Sequence, residues 1–249
     1  MIYTHRYLEE TRMLDYGNRN IADLVKGRFS NTLVAEKRME EIYYFVRDEI
    51  RFGFNVAVDL PASRVLSEGR GTGPTKTTLL LALARSVGVP CRVRYFKIHK
   101  RVYGGILSGR AYERRLPEEL LHSWPDVLIL GRWLALEGVV LDRPYMERIR
   151  SSFSKSKAFE GFGVSVEDLS KADTDWRGED TYIQRGAITG ELGVFSSPDE
   201  FFASGDSRSP VLRSIPFVGL LGRKALNSRI DAIRLGKTMD QKREEQGGQ

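Results

Sequence analysis

"EGRGTGPTKTTLLLALARSVGVP", Glu68 to Pro90, is the stretch that decides the fold of this chain. A glycine-rich turn leads into Pro74 and then into a strongly apolar run. The pattern predicts a helix from about Pro74 to Val87. Proline is tolerated at the first helical position because the N–H there has no helical partner. Gly88 supplies a stop, and Pro90 prevents continuation. Leu79, Leu80, Leu81, Leu83 and Val87 leave the helix apolar on most faces, so it is expected to be the central buried helix. The loop invites comparison with a phosphate loop. That motif needs Gly, four residues, then Gly-Lys-Ser/Thr. Here Thr75 precedes Lys76 and Arg70 stands five places before Thr75, so both glycines are missing.

Upstream, "NTLVAEKRMEEIYYFVRDEIRFGF" reads as an amphipathic helix. Leu33, Met39, Ile42, Tyr43, Val46 and Ile50 recur at three- and four-residue spacing, and Asn31 is a plausible N-cap. Downstream the period changes to two. "CRVRYFKI" alternates and is rich in β-formers. "HSWPDVLILGRWLALEGVVLD" reads as two strands joined at Gly131, with Pro125 suggesting an edge position or a bulge. A central helix followed by antiparallel strands implies an α+β domain. The core is expected over residues 1–150. Residues 151–249 are expected to be an irregular extension packed on it, ending in an amphipathic helix ("SIPFVGLLGRKALNSRIDAIRLG") and a basic tail.

A hydrophobic content of 41% with 10% aromatics is too high for a disordered chain. The longest apolar run, Leu79 to Ala84, is far short of a membrane span, and the N-terminus lacks a signal-peptide layout. Cys91 is the one cysteine, so neither an intramolecular disulfide nor a cysteine metal cluster is possible. With three histidines (His5, His99, His122) a multi-histidine metal site is not expected either. A cytoplasmic protein with no metal or cofactor, and no membrane association, is the expectation. The net charge is +6, and residues 211–249 carry eight Lys/Arg against four Asp/Glu, or +4 of it. That basic stretch reads as a solvated helix and tail, and a nucleic-acid partner is not expected.

The residues that carry chemistry converge on the helix start. Nucleophiles of acyl-transfer enzymes often sit at a helix N-terminus, where the dipole and free N–H groups favour an anion. A histidine and an orienting carboxylate complete such a site. With the hairpin turn near Leu130 and Gly131, His122 and Glu137 are expected nearly opposite each other on antiparallel strands, about 5 Å apart. Asp142 is the second choice of acid. Together, "YYFVRDEIRFGF", the opening stretch with "ARSVGVPCR", "HSWPDVLILGRWLALEG" and "LDRPY" resemble the transglutaminase-like superfamily over roughly residues 35–146. The resemblance implies a papain-like core with a central helix on an antiparallel sheet. It also implies His122 and Glu137 as the family's histidine and acid.

The resemblance places the family's cysteine at position 73, and this chain has Gly73. Glycine cannot form an acyl-enzyme, so thiol chemistry is not expected. Cys91 lies past the far end of the helix, about 20 Å away by helix rise. Thr72 and Thr75 are expected to cap the helix or contact a ligand, and Lys76 to face solvent or form a salt bridge. Trp124, Asp142 and Tyr182 join Thr72, Gly73 and Thr75 as candidate substrate-binding residues.

Two functions follow from the loss. One is a repurposed enzyme, biosynthetic in setting, that does non-covalent acid–base chemistry (cyclisation, dehydration, an aldol-type or a hydrolytic step) on a small carbonyl or acyl substrate. His122 and Glu137 would move the proton, and the helix start would hold an oxyanion. The other is a pseudoenzyme kept as a binding or scaffold module. A third option is that Gly73 replaces a native cysteine, although "TGPT" reads as a native, proline-capped turn. The cavity discriminates between the first two. An open, aromatic-lined pocket with His122 at its wall favours the enzyme, and a groove closed around Gly73 favours the scaffold.

Overall fold

The computed structural model describes residues 5–29, 34–107, 116–172, 174–204 and 220–237. Helix α1 (Arg19–Leu24) runs into a π turn (Val25–Phe29), and α2 (Ala35–Tyr44) continues through a second (Phe45–Glu49). Then come β1 (Arg51–Phe52), α3 (Ala62–Glu68) and β2 (Arg70–Gly71). Helix α4 (Gly73–Ser86) follows, then β3 (Cys91–His99), β4 (Glu119–Ile129) and β5 (Arg132–Ala135). A 3-10 turn (Glu137–Val140) leads to α5 (Arg143–Ser152) and the short hairpin β6 (Phe159–Gly161) and β7 (Val164–Val166). Strand β8 (Ile188–Phe195), α6 (Pro198–Ala203) and α7 (Leu220–Arg234) complete the order. Asn31, the expected cap, and residues 214–219 of the expected C-terminal helix lie outside the described residues.

Helix α4 is the centre of the molecule. Every residue from Gly73 to Arg85 is buried. Leu79, Leu80, Leu81 and Leu83 are fully enclosed, and each such side chain contributes about 1.5–3 kcal/mol of transfer free energy. The helix packs on β3 and β4 and against α2 and α3. The face predicted for α2 and its π turn is the buried one, with Met39, Ile42, Tyr43, Val46 and Ile50 in the core. Gly88 ends the region of α4 with φ +80°, a backbone conformation that costs glycine little.

The main sheet is antiparallel, in the order β5-β4-β3-β8. Leu130 and Gly131 join β4 to β5, both with positive φ, as a two-residue turn matched to strand twist requires. One sequence expectation is corrected here. Pro125 sits in an interior strand, paired with Val93 of β3. Its carbonyl accepts from Leu136 N at 2.9 Å, so its missing donor faces the side where β5 has just ended. The sheet also takes in a strand from beyond residue 150. This strand, β8, pairs along β3 as the edge strand. Helix α7 also packs back on α5. Among the described residues no helix is long and apolar enough to cross a membrane.

Candidate active site

Gly73 is the first residue of α4, with Thr72 as its N-cap. Thr72 N donates to Thr75 Oγ1 at 2.9 Å. The Thr75 hydroxyl donates onward to Asn55 Oδ1 at 2.6 Å. Both threonines therefore cap and anchor the helix. The donors available to an anion are few: Thr72 N is already used, and Pro74 has none.

His122, on β4, points its ring at this helix start. The ring is fully buried, as is Glu137. His122 Nε2 lies 2.7 Å from Glu137 Oε1. Glu137 Oε2 accepts from Ile183 N at 2.8 Å and Gln184 N at 3.1 Å. With that carboxylate accepting on both oxygens, Nε2 is the donor of the pair. Nδ1 is buried and has no hydrogen-bond partner. It faces Gly73. A Cβ built on Gly73 would lie 2.7 Å from His122 Nδ1, 3.0 Å from Cε1 and 3.2 Å from the Ser123 carbonyl oxygen. The imidazole occupies the space that a side chain at position 73 would need.

The pair forms by a different route from the one the sequence suggested. Asp126 pairs with Ala135, a register that continues to Trp124, not His122, opposite Glu137. Glu137 has in any case left the strand, as the first residue of the 3-10 turn. That turn carries its carboxylate back to the ring.

The other expected site residues do not gather there. Asp142 is the N-cap of α5 and accepts from Tyr145 N at 3.2 Å and Phe52 N at 2.8 Å. Arg234 of α7 clamps both its oxygens at 2.8 Å. Burial pushes this carboxyl up, but the Arg234 guanidinium, together with Lys76 and the Phe52 N–H, holds it below its usual range. Asp142 thus caps α5 and ties it to α7.

Trp124 and Tyr182 line a different cavity, of about 330 Å³, with Arg94, Phe96, Asp126 and Asp180. Trp124 stacks on Phe96 at 3.9 Å between centroids and meets His122 edge-on at 5.9 Å. A smaller apolar cavity of about 60 Å³ lies against the helix start, walled by Phe54, Thr72, Pro74, Tyr103 and Leu121. Neither Gly73 nor His122 is among the residues lining either cavity. Cys91 is buried at the far end of α4, its thiol pushed up to about 11 by burial.

Lys76 was misread from sequence. It is fully buried, and Nζ donates to the carbonyls of Arg47 at 2.9 Å and Val140 at 3.2 Å. Burial lowers it to about 7, against the opposing pull of Asp142 and Asp48. A neutral amine has two N–H groups, which match the two carbonyls. Its place on the inner face of an all-buried helix was the available signal.

A profile of the transglutaminase-like superfamily core matches residues 22–138. The comparison with curated proteins gave no match. A solved structure described as a candidate cysteine protease from Cytophaga hutchinsonii is similar at 10% identity and a TM-score of 0.45. The likeness covers 79% of this chain and 48% of that one, so the chain spans about half that protein's length. Residues 22–138 are thus similar to the core of the transglutaminase-like superfamily, with a glycine at the head of the central helix.

Proposed function

We propose that this chain is a transglutaminase-like binding module that does not perform acyl transfer, and that His122 and Glu137 serve it as a buried structural pair. The observation that carries this reading is the contact at Gly73. The imidazole lies against the helix start, where the built Cβ is 2.7 Å from Nδ1. A reacting atom needs a place about 3 Å from both base and oxyanion donors, and neither cavity near the helix start is lined by Gly73 or His122. Pro74 supports the same reading by removing a donor from the first turn.

The acid–base enzyme stands as the second reading, on one observation. Nδ1 of His122 is left without a hydrogen-bond partner, and an apolar cavity touches Thr72 and Pro74 at the helix start.

Diethyl pyrocarbonate separates the two, because the chain has three histidines. His5 and His99 have side chains 88% and 25% exposed, whereas His122 has none of its surface exposed. In the folded protein, mass spectrometry is expected to find adducts on His5 and His99, with His122 modified only after unfolding in urea. Modification of His122 at a rate near that of His99 would sink the closed-site reading and bring acid–base catalysis forward.

A further inference from the structure

Away from the His–Glu pair, a cleft of about 490 Å³ opens between α3 and α7. Arg64, Arg70, Arg223 and Lys224 line it, with Glu68 and Asp231 as the acids. The acids are already engaged. Glu68 accepts from Arg64 Nε at 3.1 Å and from Asn55 Nδ2 at 2.9 Å. Asp231 pairs with Arg234 through one oxygen and lies 3.7 Å from Arg70 Nη2 through the other. The cations are in excess. Half-buried Arg223 and exposed Lys224 have no carboxylate partner among the described residues. Arg70 Nη1 is buried with no acceptor. Four cations against two carboxylates give the lining +2, and Arg234 outside it offsets Asp231 further.

We infer that this cleft binds a phosphate-bearing ligand. Guanidinium groups match the oxygens of phosphate in pairs, and a lysine adds a mobile point charge. The hydroxyl of Ser228 lies in the same wall and supplies a neutral donor. The volume is within the roughly 300–1,000 Å³ typical of small-molecule sites, larger than a bare phosphate needs. Phe54 and Val56, also in the lining, offer an apolar surface to the organic part. Phe54 is shared with the small cavity at the head of α4, and Asn227 of α7 holds its backbone at 2.8 and 3.0 Å. The inference does not depend on how the His–Glu pair is read.

The phosphate could belong to a soluble molecule or to a lipid headgroup, and the test has an arm for each. Pyrophosphate is titrated by calorimetry, with sodium chloride of equal ionic strength as the blank. Phosphatidylcholine vesicles with and without phosphatidic acid are used for co-sedimentation. The full chain is compared with Arg223→Glu/Lys224→Glu, two surface changes whose folding is checked by circular dichroism. Saturable pyrophosphate binding, weakened at least tenfold in the double variant, is expected for a soluble ligand. Binding to phosphatidic acid vesicles alone, lost in the variant, would assign the same phosphate chemistry to a headgroup. No binding in either arm, or binding that the variant leaves unchanged, overturns the inference.

Discussion

Gly73 makes the sharpest residue-scale statement. Replacing a helical glycine by alanine ordinarily gains roughly 0.5–1 kcal/mol. Here the new methyl group meets an imidazole tethered to Glu137, and overpacking of this kind costs about 1–3 kcal/mol. Gly73→Ala is therefore expected to lower the unfolding free energy in urea, whereas Gly27→Ala, with nothing within 4 Å of its built Cβ, serves as the ordinary control. Equal gains at the two sites would show that the ring yields freely. The helix start at Gly73 was legible because its signals are local, whereas Glu137 meets His122 from a 3-10 turn and not from the strand position that hairpin order suggested. Sequence could not show that the ring lies where a side chain at position 73 would need room, which depends on the fit of α4 against β4.

At the scale of elements, Lys76 ties three of them together. Its amine bonds the π turn after α2 through Arg47 and the 3-10 turn carrying Glu137 through Val140. The native lysine, at about 7, sits well below the unfolded value of about 10.4. Above neutrality the unfolded chain therefore holds a proton that the native chain has released, and stability rises with pH. Cys91 and the buried Tyr43, Tyr95 and Tyr103 are shifted upward by burial. They pull the other way once their unfolded values are reached, from about pH 8.5. The rise is thus readable between about pH 7 and 8.5, at no more than ~1.4 kcal/mol per unit. Lys76→Met is expected to flatten that slope in urea titrations, whatever it does to absolute stability; an unchanged slope would assign the rise to another group. The sequence reading missed Lys76 because a lysine is buried this deeply only where backbone carbonyls from elsewhere meet it, and those contacts are long-range.

For the whole molecule, the part read as an extension is structural. Strand β8 covers the edge of β3, and Arg234 of α7 reaches 92 residues back to Asp142. A chain ending at residue 150 would leave β3 with an open row of backbone donors and acceptors, a template for association. It is expected to elute as aggregates in size-exclusion chromatography, and a stable monomer with the native far-ultraviolet spectrum would contradict this. The central helix and the strands β3 to β5 were legible because their periodicity is continuous. The partner of β3 was not, since "ITGELGVF" carries two glycines and alternates weakly. Only pairing with a strand about a hundred residues earlier makes it a strand.

The burial of Cys91 has a practical side. With its sulfur enclosed between α4 and β3 and its thiol at about 11, the native chain is silent to maleimide dyes at neutral pH. A single Lys224→Cys exchange would then put the sole addressable handle at the mouth of the cleft. A fluorophore there could report occupancy in real time, with the native cysteine left in place.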